Sequence, residues 1–161
     1  MERSDYSMAQ VCINGHSTNA YADSRPQHNQ QFCDQCGAAT ITACQHCNIP
    51  IRGKYMARGG LSIAGYTPPN FCNNCGQGYP WTESRLQAAE QLADMIEKFT
   101  DEDKQQLKES IRNIIRDTPQ TLISAVKFQT LMAKAGPVMK AAVWETISEM
   151  ADDKAKQIIN R

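Results

Sequence analysis

Hydrophobic side chains are unevenly distributed along this sequence of 161 residues. Residues 1–81 contain few leucine, isoleucine or valine residues and many asparagine, glutamine, glycine and cysteine residues, whereas residues 82–161 carry most of the aliphatic side chains. In the second region the apolar positions recur at three- and four-residue spacing, which is the period of an amphipathic helix. The pattern predicts two domains: a region of short strands and turns at 1–81 and an α-helical domain at 82–161.

The first two helices have recognisable start signals. Thr82 is predicted to be the N-cap of the first helix, with Trp81 packing on Leu86 as a hydrophobic staple. Thr100 and Asp103 have the spacing of an acidic capping box, and they predict the start of a second helix.

The apolar pattern continues through two further helices. In the third helix Leu122, Ile123, Val126 and Leu131 are predicted to face inward. Gly136 ends that helix, and Pro137 suits the first position of a fourth, whose apolar pattern continues towards the end of the sequence. We therefore expect about four helices joined by short connections.

All seven cysteines and all three histidines lie between residues 12 and 75. They include three Cys-x2-Cys pairs and one Cys-x3-His pair, which are spacings typical of zinc ligands. The residue after the second cysteine of such a pair often needs positive φ, which Gly37 and Asn48 are predicted to adopt. Eight such ligands fill two tetrahedral sites, so the sequence predicts two structural zinc ions, which must stabilise a region this poor in aliphatic residues. The predicted ligands are Cys12, His16, Cys33, Cys36, Cys44, Cys47, Cys72 and Cys75.

Two features of these sites stay open at this point. His28 competes with His16 as the eighth ligand, although the four-residue spacing from Cys12 favours His16. The pairs could also combine in chain order, as tandem zinc ribbons, or in the cross-braced order of RING domains. Chain order requires only local loop closure and is favoured. The expected fold is a small metal-bound β region of tandem zinc ribbons followed by an all-α segment.

The charge and the cysteine content narrow the range of expected partners and cellular compartments. The formal net charge is zero, whereas nucleic-acid-binding domains usually carry a basic surplus. No secretory signal, membrane-spanning run or lipidation motif is visible. An odd number of cysteines at short spacing disfavours a secreted disulfide framework, so we expect a reducing cytosol and no membrane association.

The ligand pairs and the residues around them form a specific pattern: Cys12-x2-Gly15-His16, Phe32-Cys33-x2-Cys36-Gly37-Ala38, Cys44-x2-Cys47, Gly53-x-Tyr55, Tyr66-x-Pro68-Pro69-x-Phe71-Cys72-x2-Cys75-Gly76 and Tyr79-Pro80-Trp81-Thr82. This pattern resembles a family of bacterial zinc-ribbon proteins catalogued as domain of unknown function 2321. The resemblance covers most of the chain. It implies a tandem zinc-binding region followed by helices, and it implies no established activity.

These features favour a non-catalytic zinc-binding protein that acts as a protein-interaction, adaptor or regulatory module. A site saturated by four protein ligands leaves no position for water or substrate, and no sequence motif of a known enzyme class is present. We expect a protein partner, and the helical segment could also form a homo-oligomer. The candidate interaction loop comprises Arg52, Lys54, Tyr55, Arg58, Leu61, Ile63 and Tyr66.

Two alternative functions stay open. Arg52, Lys54 and Arg58 lie beside tyrosines, and cations interleaved with aromatic rings suit phosphate contact and base stacking in a nucleic-acid-binding zinc ribbon. A cross-braced arrangement of ligands would instead suit a RING-like, ligase-type module.

Overall fold

The computed structural model describes residues 5–56 and 64–161. Contacts within the chain divide it into two compact units, Met1–Thr82 and Glu83–Arg161. The first unit contains short strands and two clusters of cysteine and histidine side chains, and the second is helical. A small metal-binding β region followed by an all-α segment is therefore the observed fold class.

The first unit is built from two small antiparallel sheets and a 3-10 turn at Pro26–His28. One sheet pairs β1 with β5, and the other has the order β3-β2-β4. The strands are β1 Tyr6–Met8, β2 Gln10–Cys12, β3 Ser17–Asn19, β4 Thr40–Ile41 and β5 Arg52–Tyr55.

The apolar core of the first unit is small and centres on two aromatic rings. Tyr79 and Trp81 stack with their ring centroids 4.6 Å apart, and the Trp81 indole N–H donates a hydrogen bond to the Pro69 carbonyl at 3.0 Å. Val11 and Ile51 are the fully buried branched aliphatic residues of this core. A core of this size buries little apolar surface, so it cannot by itself offset the loss of chain entropy on folding.

The first helix begins earlier than the sequence predicted. Helix α1 spans Pro80–Asp94, with proline at its first position, where no backbone N–H is needed. Thr82 therefore lies inside the helix, and its buried hydroxyl donates to the Asn70 carbonyl at 2.7 Å. The prediction of Thr82 as N-cap was wrong, and Trp81 packs on Tyr79 where a staple to Leu86 had been expected.

The chain has five helices in the part that the structure describes, whereas the sequence predicted about four. The capping box that was predicted before α2 is confirmed, because Thr100 and Asp103 exchange side-chain-to-backbone hydrogen bonds at 3.1 Å. The extra helix arises because the Asp152 carboxylate accepts from the Lys154 N–H at 2.9 Å and caps a new helix start. The helices after α1 are α2 Asp101–Ile114, α3 Thr121–Ala135, α4 Pro137–Ile147 and α5 Asp153–Ile159.

Helix α3 presents the opposite face to the core from the one predicted. It packs against α2, α4 and α5 through a stripe that includes Phe128 and Met132, both fully buried. Of the four residues predicted to face inward, Leu131 is buried as expected, and the other three lie about half exposed on the other side: Leu122, Ile123 and Val126. Both stripes are apolar and share the helical period, and the stripe that carries the aromatic ring is the one that is buried.

Among the described helices, none is long and apolar enough to span a bilayer.

Gly53 on β5 offers a test of the packing between strands. A Cβ atom at this position would lie 2.8 Å from the Ser7 carbonyl oxygen and even closer to that of Ala20. We expect Gly53→Ala to lower the free energy of unfolding of the first unit by about 1–3 kcal/mol, because backbone atoms cannot move aside cheaply. Denaturant titration of the metal-loaded chain measures this.

Gly65→Ala is the matched control, because a Cβ atom there meets no heavy atom within 4 Å. It should leave the stability unchanged or raise it slightly. Equal stabilities of the two variants would contradict the close approach of the backbone at Gly53.

Candidate metal centres

Three of the four predicted ligand pairs adopt the same backbone turn. In each, the N–H of the first cysteine donates to the carbonyl five residues later, and the residue after the second cysteine donates back to the carbonyl of the first. That residue has positive φ in every turn, as predicted for two of them: 73° at Gly37, 61° at Asn48 and 73° at Gly76. Glycine and asparagine tolerate this conformation, which curls each Cys-x2-Cys segment so that both thiols point the same way.

The fourth pair is formed by a hairpin. Strand β2 ends at Cys12, and Gly15, with φ of 92°, turns the chain towards β3. The Cys12 N–H donates to the His16 carbonyl at 2.9 Å, and the His16 N–H lies 3.3 Å from the Cys12 Sγ. This local geometry places the imidazole beside the thiol of the same pair.

The first cluster combines the hairpin pair with the first Cys-x2-Cys turn. The Nδ1 atom of His16 lies 3.4 Å from the Sγ of Cys12 and 3.6 Å from that of Cys33. The Sγ atoms of Cys12 and Cys36 are 3.8 Å apart. His16 is therefore the histidine that joins the cysteines, through Nδ1, whereas His28 is exposed in the 3-10 turn outside the cluster.

The second cluster combines the remaining two turns. The Sγ atoms of Cys44 and Cys75 are 3.8 Å apart, and those of Cys47 and Cys72 are 3.6 Å apart. His46 lies between Cys44 and Cys47 in the sequence, but its side chain is exposed and does not join the cluster.

The two clusters therefore use the ligand pairs in chain order. In each cluster the four ligand atoms lie within 4.8 Å of one another. A cross-braced arrangement would bring the first pair to the third and the second to the fourth, which is not what the structure shows. The RING-like alternative loses its structural basis.

The distances fit a tetrahedral metal ion of the size of zinc. With Zn–S of about 2.3 Å and Zn–N of about 2.0 Å, the edges of a tetrahedron are about 3.8 Å for two sulfurs and about 3.5 Å for sulfur and nitrogen. The observed sulfur–sulfur separations of 3.6–3.8 Å match the first value. They are also far longer than the S–S bond of a disulfide, about 2.05 Å. Each cluster can thus hold a metal ion with four protein ligands.

The first cluster lies at the surface on one side. Cys36 is exposed, and the Asn14 side-chain amide donates to its Sγ at 3.3 Å. This amide and the backbone N–H of Ala38 lower the pKa of the Cys36 thiol to about 6. The lowered pKa favours the thiolate, which is the form that binds a metal ion. No local sequence signal indicated the contact with Asn14, because it arises only when the hairpin meets the first turn.

The second cluster is part of the apolar core. Cys44 and Cys72 are buried in it, and Cys47 and Cys75 pack against it. Burial raises the pKa of the Cys72 thiol, but hydrogen bonds from the backbone N–H groups of Cys75 and Asn74 and from the side chains of Cys47 and Cys44 together lower this pKa to about 6. The remaining thiols of the cluster must lose protons when a metal binds, so metal binding here strengthens with rising pH.

The predicted interaction loop is only partly within the described chain. Arg52, Lys54 and Tyr55 lie on β5. Tyr66 packs against the core, and its hydroxyl donates to the Arg52 carbonyl at 2.6 Å; burial raises the pKa of this tyrosine. The other three predicted residues lie outside the described residues: Arg58, Leu61 and Ile63.

The sequence did not predict the partners of the β5 cations. The Arg52 guanidinium lies 4.5 Å from the centroid of the Tyr6 ring, and Tyr6 contacts Tyr55 edge to face at 5.3 Å. Lys54 lies 5.8 Å from the centroid of the Tyr21 ring. These contacts depend on the pairing of β1 with β5, which local sequence does not determine.

Removing the metal should unfold the first unit and leave the helices folded. The chain has two tryptophans, and the conservative substitution Trp144→Phe leaves Trp81, which is 1% exposed in the first unit, as the single fluorescent reporter. With a strong chelator we expect the emission of Trp81 to shift to longer wavelength while the far-ultraviolet circular dichroism of the helices persists.

The control is the same chelator saturated with zinc, which should change neither signal. Simultaneous loss of both signals would mean that the two units fold as one.

A family model described as an uncharacterised protein conserved in bacteria, DUF2321, matches residues 5–159. No curated protein and no solved structure matches the chain. Because the family model covers nearly the whole sequence, the chain belongs to the DUF2321 family of uncharacterised proteins conserved in bacteria.

Proposed function

We propose that this chain binds two structural zinc ions and acts as a non-catalytic protein-interaction module, an adaptor or regulatory component in the bacterial cytosol. Zinc is the metal that best suits a site of three cysteines and one histidine beside a site of four cysteines, since both use soft ligands in tetrahedral geometry. The seven free thiols suit a reducing compartment.

The closed metal sites argue against catalysis at the metal. Each cluster offers four protein ligand atoms within 4.8 Å of one another, whereas catalytic zinc sites keep three protein ligands and one open position. The metal ions in this proposal hold loops in place and do not activate water.

The observation that carries the proposal is the exposed apolar face of α3, formed by Leu122, Ile123 and Val126. Their exposed fractions are 49%, 50% and 53%. Val126 follows the other two by three and four residues, so the three side chains lie on one side of the helix. A helix whose core-facing side is already filled, and which presents a second apolar stripe to solvent, has a surface that suits binding of another protein.

The α3 face can be tested by a double substitution. We expect Leu122→Gln with Val126→Gln to weaken binding of the protein that copurifies with the native chain by about tenfold or more, because apolar anchors dominate interface energies. Binding is measured with both purified components. Circular dichroism should stay unchanged, because both side chains are exposed.

Lys127→Gln, an exposed neighbour on the same helix, is the matched control and should bind normally. If the copurifying protein is a second copy of the chain, light scattering reports the doubled mass and its loss in the double variant. Unchanged affinity of the double variant would remove the α3 face from the proposal.

Nucleic-acid binding is the second candidate, and the cation–tyrosine contacts favour it. Arg25 and Lys54 lie 5.5 and 5.8 Å from the centroid of the Tyr21 ring, and Arg52 lies over Tyr6. However, zinc bound by three thiolates and a neutral imidazole carries a charge of about −1, and zinc bound by four thiolates about −2, and both charges repel phosphates. Protein binding is therefore the better supported of the two.

Titration with labelled single- and double-stranded DNA and RNA at low salt separates these candidates. We expect no saturable binding. Binding that falls steeply with salt, and that is lost in Arg52→Ala with Lys54→Ala, would reverse the order of the two functions.

A further inference from the structure

A cavity of about 420 Å³ lies in the first unit beside the second metal cluster. Its walls are formed by β1, by the chain that leaves the Cys44–Cys47 turn, and by Asn73 of the last turn. The walls are largely apolar and include Met8, Ile49 and Pro50. The volume lies within the range of about 300–1,000 Å³ that is typical of ligand pockets in proteins.

One cation at this pocket, Arg52, is held in place by an aromatic ring. The Arg52 guanidinium rests on the Tyr6 ring, with 4.5 Å to its centroid, and both residues line the pocket. In the part of the chain that the structure describes, Arg52 forms no salt bridge. Cation–π contact orders the guanidinium without using its N–H donors, so the donors stay available for a ligand.

Asp23 also lines the pocket, and within the described part of the chain it forms no salt bridge with Arg52. Its Oδ1 atom accepts from the N–H groups of Met8 and Ser24, each at 3.0 Å, and from the Ser7 hydroxyl. Burial raises the pKa of Asp23, but these donors outweigh burial and lower it. Asp23 therefore stays ionised while it fixes β1.

We propose that this pocket binds an apolar monocarboxylate, and that its source is the free carboxyl terminus of a partner polypeptide. The proposal rests on the proposed function as a protein-interaction module, whose partner it specifies. A planar guanidinium binds a carboxylate through two parallel hydrogen bonds. The apolar walls would contact the side chain of the partner's last residue. Capture of a carboxyl terminus is a known mode of peptide recognition.

Other anions fit this pocket less well. A phosphate dianion needs several converging donors, whereas the pocket offers one guanidinium and also contains the ionised Asp23. A free small acid would use Arg52 and the apolar wall alone. A peptide also supplies N–H and carbonyl groups, which the Oδ2 atom of Asp23 and the side-chain amide of Asn73 can bind.

The experiment titrates the zinc-loaded full chain with a short acetylated peptide that ends in Ser-Val-Leu with a free carboxylate. The same peptide with a terminal amide and isocaproate, a free acid with a leucine-like body, are the comparison probes. We expect the amide to bind about tenfold more weakly or worse, because it cannot form the charge-assisted pair. Isocaproate should also bind more weakly than the peptide.

Two variants test the residues. Arg52→Gln removes the cation and should lower the affinity for the peptide by about tenfold or more. Ile49→Glu places a negative charge on the apolar wall and should lower this affinity by a similar factor. Lys54→Gln, a cation on the same strand that does not line the pocket, is the matched control and should bind normally. An unchanged zinc content of each variant shows that it has folded.

Equal affinities for the peptide acid and its amide, or normal binding by Arg52→Gln, would overturn the proposal. Isocaproate binding as tightly as the peptide would overturn the polypeptide source. If the copurifying protein still binds Arg52→Gln but not the α3 double variant, the proposed function stands and this pocket has no part in it.

Discussion

Convergence of four ligand atoms on each of two points is the constraint on which the first unit depends. Its apolar core is small, and two of the seven residues that form it, Cys44 and Cys72, belong to a cluster that can hold a metal ion. Metal–ligand bonds at the two clusters would replace the hydrocarbon packing that a domain of this size otherwise needs. Without a bound ion, several thiols would be held close together and partly buried with nothing to stabilise them.

The two candidate metal clusters differ in their surroundings. The second cluster lies in the core beside the Tyr79–Trp81 stack, so an ion bound there and the apolar packing would support each other. The first cluster has an exposed cysteine, Cys36, and a hydrogen bond from Asn14. We infer that the second ion fixes the fold of the unit, whereas the first fixes the β2–β3 hairpin to its neighbouring turn.

Local sequence predicted the parts of the structure that depend on local geometry. The left-handed residues Gly37 and Asn48 and the capping box of α2 follow from short-range rules and are as predicted. The inward face of α3 was predicted wrongly, because Leu122 and Phe128 lie on two apolar stripes with the same period and only packing against α2, α4 and α5 decides between them. The Tyr6–Arg52 contact was likewise unpredictable, since it needs two strands distant in sequence to pair.

If the two clusters stabilise the first unit, each chain must hold two tightly bound metal ions with no open coordination position. The most direct test is the zinc content of the chain purified without added metal, measured by mass spectrometry against the protein concentration. Two zinc ions per chain are expected from the two complete ligand sets. One ion or fewer per chain would contradict the account, because at least one of the two clusters would then be held together by something else.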